Sequence, residues 1–394
     1  MARLARTLTA VGAAAATMML GIGMTAPAAA AAPTFLGSVS TLTTVASTVP
    51  ANGDVNPYGV AVVPQSVGRL HSGSVLVSNF NAATNLQGTG STLVQITADG
   101  KATLFAQVDA TRLPGPCPGG VGLTTALAVL KSGWVIVGSL PTSDGTAATA
   151  KAGCLLVLDA AGKVRETITN QWINGPWDMT AVDHGRTADL FLTNVLNGTV
   201  AANGGTVNRG TVLRIRLTLP QDGDSHQDQN GDSQDQDQDH QGKPPVASRP
   251  VVIGSGFAEH TDPAALVVGP TGVALSRSGD TLYVADTAGN RITAIPDAST
   301  RSNTAYTGAK VTSGGSLNSP LGLTVIPNGH LLSVNAGDGL AVETTPEGTQ
   351  VATRSLDSTG NPPGSGALFG LAPAPDRHGV YYVDDAANTL NLLH

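Results

Sequence analysis

Charge is scarce in this chain. Only 12% of its 394 residues are charged, and 21 basic side chains face 28 acidic ones for a formal net charge of −7. No basic stripe exists to neutralise phosphates, which excludes nucleic acid as a partner. HExxH, GxSxG, Walker and dinucleotide patterns are all missing, so no catalytic motif names a chemistry. Helix-compatible composition is missing as well: Gly 48 and Pro 24 break helix interiors and suit turn-rich β structure. The length would hold two average domains, but closed all-β folds run this long as one.

The first residues read as a secretory signal. Arg3 and Arg6 supply a positive start, Leu8 to Met24 an apolar stretch, and Pro27 to Ala32 a small-residue cleavage region. Cleavage is expected after Ala30 or Ala31, because Pro33 disfavours a cut after Ala32. The apolar stretch is Ala- and Gly-rich and falls short of the roughly 20 strongly apolar residues of a spanning helix. No Cys follows the cut, against a lipoprotein, and Arg3 and Arg6 are not adjacent, against a twin-arginine signal. Residues 1–31 are therefore expected to be a signal peptide, with the mature protein secreted and free of membrane.

From Gly269 to Thr300 the sequence runs GPTGVALSRSGDTLYVADTAGNRITAIPDAST, three alternating apolar runs separated by turn residues, as in short antiparallel strands. Pro270–Gly272, Tyr283–Asp286 and Asn290–Ile292 make the unit resemble an NHL repeat, one blade of a β-propeller. Five weaker copies begin at Asn56, Leu123, Gly175, Ser319 and Ala367. The sixth stops at its third strand, and Phe35 to Thr48 is a spare β-rich run. Set as the outer strand of the last blade, that run closes the ring and leaves no open sheet edge. The expected fold is an all-β, six-bladed propeller over residues 33–394, closed by an N-terminal strand.

Residues 221–242 differ in kind: seven Asp, no Lys or Arg, and no aliphatic or aromatic side chain. Such a tract cannot bury enough apolar surface to offset its ordering entropy, so it is expected to be a disordered, dispensable insert between two strands of unit three. Its nearest fit to an EF-hand loop puts Gly231 at the sharp turn but His226 where Asp is required.

On this fold, candidate residues sort by face. His71, His184, His330 and His378 fall in turns between first and second strands, one per blade, too spread to share an ion. At the other face every second strand ends in a polar residue: Asn79, Ser139, Asn194, Asp286, Asn335 and Asp384. Either their oxygens cap the following turn, or they ring the mouth of the central channel. Cys117, in the loop entering unit two, and Cys154, at the start of its third strand, share a side of one blade. A disulfide is expected, with free buried thiols the alternative.

Seven residues before the turn glycine of each unit, or nine in units one and six, lies a slot held by Gly59, Ala126, Asp178, Gly272, Gly322 and Gly370. Small residues belong where innermost strands crowd the axis. Asp178, preceded by Trp177, is the outlier. Its carboxylate is expected in or beside the channel, with Asn79, Asn194, Asp286, Asn335 and Asp384 approaching the same mouth. Either it plugs the channel by bonding backbone N–H groups, or it serves a hard cation or a polar ligand set against Trp177.

The sequence reads first as a secreted, monomeric binding or scaffolding protein with no cofactor, taking a protein, glycan or small molecule at one face. The alternative follows from the resemblance to enzymes built on related propellers, gluconolactonase-like hydrolases and virginiamycin B lyase-like lyases. These hold a divalent cation such as Ca2+ at the channel mouth, and Asp178 is the candidate ligand. The sequence lacks the lactonase Glu-Gly-Pro at the start of a first strand.

Overall fold

The computed structural model describes residues 34–220 and 242–394. The expected signal segment and the Asp-rich tract, Gly242 apart, lie outside the described residues. Six antiparallel sheets follow one another along the chain as six blades. Blade one consists of Val55–Val62, Val75–Asn81, Thr92–Ile96 and Ala102–Gln107. Blade two consists of Leu123–Val129, Val135–Ser139, Cys154–Leu158 and Val164–Ile168. Blades four and five run from Pro270–Leu275 to Ala309–Ser313 and from Pro320–Val325 to Gln350–Ser355. Second and third strands are apolar on both faces because each sheet is packed between two others; all five residues of Cys154–Leu158 are buried.

Blade six holds Leu368–Pro373, Val380–Asp384 and Thr389–Leu393, and its outer strand is the N-terminal Leu42–Ser47. Leu42 pairs with Leu393 and Ser47 with Thr389, so the ring is closed as expected. A short helix, Phe35–Ser38, precedes that strand. The buried Glu343 carboxylate of blade five accepts the Phe35 N–H at 3.0 Å and the Leu36 N–H at 2.9 Å. Phe35, Leu36 and Val39 pack with Leu332, Val334 and Tyr382 of blades five and six.

Blade three departs from the pattern. Its first two strands are Gly175–Asp183 and Thr187–Val195, its third is Val207–Thr218, and its outer strand is Val251–Asp262. The 12-residue outer strand turns back as Leu266–Val268, pairing His260 with Val268. This hairpin, which the repeat pattern did not anticipate, carries Leu266 and Val267 into the same apolar cluster as Trp177 and Phe369.

Candidate functional site

The innermost strand of every blade carries the same irregularity. Register shifts fall between Pro57 and Gly59, Leu123 and Leu127, Pro176 and Met179, Pro270 and Val273, Pro320 and Leu323, and Leu368 and Leu371. These bulges enclose the small-residue slot, and they re-aim backbone toward the axis. A Cβ at Gly272, Gly322 or Gly370 would strike the carbonyl oxygen of Leu321, Phe369 or Tyr58 in the next blade. That contact is why the slot takes glycine.

One residue ahead of the slot stand Tyr58, Thr125, Trp177, Thr271, Leu321 and Phe369, all buried. Tyr58 stacks on Phe369 at 3.9 Å and on Phe80 at 4.5 Å, and meets Trp177 at 6.0 Å. Blades one and three are not neighbours, so the Tyr58–Trp177 contact spans the axis and the channel is filled at this level. Leu140, Val195, Leu266 and Val267 extend the plug outward. Trp177 is 1% exposed and its indole nitrogen has no partner among the described residues, so it is a plug residue and not an accessible platform. Spacing along the six units located the slot; the large side chains one position earlier were legible in the same columns and went unread.

Beyond the slot the channel widens into a cavity of about 500 Å3, lined by first-strand residues and opening toward the turns between first and second strands. Val60, Leu127, Met179, Val273, Leu323 and Leu371 give it apolar walls. Asp178 lies at its inner end. Val273 N–H donates to Asp178 Oδ2 at 2.9 Å, and Asp178 N–H donates to Thr193 Oγ1 at 3.1 Å. Thr193 Oγ1 in turn donates to the Thr271 carbonyl at 2.6 Å, so hydroxyl and carboxylate together clamp blade three to blade four. The surface Asp178 keeps is partial and faces this cavity, enclosed by protein on every other side. Burial pushes its pKa up to about 7, opposed by the N–H groups of Val273 and Met179. Arg277 lines the outer part, and an adjoining depression places it with Arg377.

The six polar strand ends are elsewhere. None of Asn79, Ser139, Asn194, Asp286, Asn335 and Asp384 lines the cavity that holds Asp178, so the structure does not bring them to the mouth that Asp178 serves. All six are buried and pin backbone. Asp286 Oδ1 accepts the Gly289 N–H and Asp384 Oδ1 the Ala387 N–H, each capping the following turn. The others hold the chain entering their own blade. Asn194 Oδ1 accepts the N–H groups of Asn174 and Gly175, and Ser139 Oγ accepts that of Gly122. Asn79 and Asn335 donate to the carbonyls of Thr48 and Ser316. An antiparallel first strand begins beside the end of the second, so the incoming loop is the nearer partner.

Among the described residues no three His, Cys, Asp or Glu side chains gather as a metal-binding group. A Ca2+ ion takes about 6–8 oxygen ligands, whereas among the described residues Asp178 is the sole carboxylate lining the cavity. The residues present do not fit such a cation. His71, His184 and His378 are exposed in their turns, as expected, but His330 is partly buried and its Nδ1 lies 2.7 Å from Glu343. Cys117 and Cys154 form the expected disulfide. Two further carboxyls escaped sequence reading. Burial raises Asp385 to about 7, with the Asp384 charge adding to it, and raises Glu259 to about 7 against hydrogen bonds from Asn197.

No family model matches the chain, and no curated protein matches it in sequence. Among solved structures it is similar to a gluconolactonase from Xanthomonas campestris, at 15% identity and a TM-score of 0.52, covering 89% of this chain and 88% of that one. It is also similar to a calcium-binding regucalcin from Agrobacterium tumefaciens, at 12% identity and a TM-score of 0.50, covering 88% and 94%. A virginiamycin B lyase from Staphylococcus aureus follows at 16% identity and 0.47, covering 90% and 85%. The likeness is one of fold: a six-bladed propeller.

Proposed function

We propose that the axial cavity is a small-molecule site in which Asp178 moves a proton. On this reading the protein is a hydrolase or lyase of the lactonase-like propeller kind. The observation that carries it is the Asp178 carboxyl at the inner end of an apolar-walled cavity, raised to about 7. A group with that pKa is split between acid and base forms at neutral pH, the condition for general acid–base work. As base it accepts a proton from water attacking a lactone or ester carbonyl; as acid it returns that proton to the leaving oxygen. Arg277 at the outer part of the cavity offers a cation to an anionic or oxygen-rich substrate. The gluconolactonase neighbour supports the reading by the kind of molecule its fold accommodates, and no step is routed through a metal.

The second reading, a binding or scaffolding protein for a protein, glycan or small molecule, is favoured by Asp178 having no second carboxylate beside it in the cavity. Under either reading we propose an exported monomer, for which the Cys117–Cys154 bridge suits an oxidising compartment. The test is hydrolysis of a lactone and ester panel headed by glucono-1,5-lactone. Turnover with a pH–rate inflection near 7, reduced about a hundredfold or more in Asp178→Asn, is expected. No turnover on any member, or an unchanged rate in the variant, would leave the binding reading in its place.

A further inference from the structure

At the outer rim of blade three, on the plugged face, lies a shallow, open depression of about 610 Å3. Its lining is unlike that of the axial cavity. Gln171, Asn174, Asn197 and Asn208 supply amides, Arg209 a guanidinium, and Trp172 an indole that is 39% exposed. The other tryptophans, Trp134 and Trp177, are buried. A partly exposed indole on a rim of amides offers a flat apolar face with a polar N–H at its edge, the kind of side chain enriched at binding surfaces.

The polar groups are partly fixed and partly free. Asn174 Nδ2 donates to Asn197 Oδ1 at 2.8 Å, and the Asn197 N–H donates to the buried Glu259 at 3.0 Å, so the floor is held from below. Gly198, which lines the depression, leaves room for Arg209: a Cβ there would sit 3.1 Å from its NH1. Arg209 makes no close ion pair or hydrogen bond among the described residues, though its charge acts on the buried Glu259 carboxyl and opposes the rise of that group's pKa. No side-chain hydrogen bond commits Asn208 or Gln171 among the described residues.

We propose that this rim depression binds a carboxylated sugar, a uronic acid unit of a glycan, stacked on Trp172 with its carboxylate on Arg209. An indole face matches the C–H face of a pyranose. Amides, each both donor and acceptor, match hydroxyls, which are also both. A guanidinium with its N–H groups free selects the acid form over a neutral sugar, through two parallel N–H···O bonds. The inference is independent of the axial cavity, which opens at the other face.

Trp172 also provides the readout, since it is the exposed tryptophan. Intrinsic fluorescence of the full chain is titrated with a trimer of α-1,4-linked galacturonic acid, with maltotriose and with benzoate. Expected is a saturable change with the galacturonate trimer, weaker by roughly tenfold or more for maltotriose and benzoate, and weakened about tenfold by Arg209→Ala. Arg209→Lys keeps charge but not the fork and should fall between. Trp172→Phe should abolish the signal and weaken binding measured by calorimetry. Both positions are exposed, so melting temperatures should match the parent and separate lost binding from lost folding. No saturable response to the acidic trimer, equal responses to maltotriose or benzoate, or full binding by Arg209→Ala would each overturn the proposal.

Discussion

The two faces of this propeller solve the same geometric problem in opposite ways. Six innermost strands converge on an axis and leave a channel. At one face the channel is filled by Tyr58, Trp177, Leu321 and Phe369 and covered by Leu266 and Val267. At the other it stays open as a cavity with one carboxyl, Asp178. The polar residues most regular along the sequence, Asn79 through Asp384, belong to the closed face, and each makes at least one hydrogen bond to backbone. The single irregular residue, Asp178, belongs to the open one. Regular polar positions in a repeat hold the repeat together; the departure marks where the ring has something else to do.

If the closed face is where the ring derives its rigidity, damage there should cost far more than damage at the open face. The largest effect is expected from removing the residues before Pro50. That deletes the outer strand of blade six and the two N–H groups held by Glu343. An exposed edge beside Thr389–Leu393 and a Glu343 carboxylate left with only Asn328 and His330 as partners should aggregate the protein or abolish cooperative melting. A monomeric truncate melting with the parent would show that closure is not structural. Next is Trp177→Ala, which empties the plug at the axis. A loss of about 3–5 kcal/mol in denaturant unfolding is expected; a loss under ~1 kcal/mol would mean that the plug is not well packed.

A third, smaller effect concerns the loop that enters blade two on the same face. Replacing Cys117 and Cys154 together by Ala opens a bridge with sequence separation 37. A loss of about 2–4 kcal/mol is expected, mainly because the unfolded chain regains freedom. Parent and variant should converge in stability under reducing conditions. A variant as stable as the oxidised parent would show the loop to be held by its hydrogen bonds alone.

How far the sequence reached follows from what repeats. Blade number, the closing strand and the Cys117–Cys154 pair were legible, because each rests on spacing that a propeller turns directly into position. So was the Asp178 slot, since close approach of strands acts on every copy alike. What spacing does not carry is depth along the axis. Asp178 and the strand-end residues look close on the unit pattern, yet the bulge places the aromatic plug between them. The Leu266–Val268 hairpin and the rim depression around Trp172 and Arg209 were equally invisible, because both exist in one blade only.

The smallest expected effect is at the open face and depends on pH. Asp178 has its folded pKa raised to about 7 from the ordinary carboxylate value of 3.8, chiefly by burial. Between those values the native state keeps a proton that the unfolded chain has lost. Stability therefore falls as pH rises from about 4 to about 7, then levels off. Glu259 and Asp385 are also raised to about 7 and slope the same way, so the parent's total dependence cannot be assigned to one group. Asp178→Asn separates them. Asn resembles the protonated acid, its Oδ1 still accepts the Val273 N–H, and it does not ionise. The variant should match the parent below about pH 4 and exceed it by about 1–3 kcal/mol near pH 8, the larger figures of a full shift being tempered by water in the cavity. The slope contributed by the other two carboxyls should remain. A gap of the same size at both pH values would mean that the carboxyl is not enclosed, and that the open face holds no group tuned toward neutral pH.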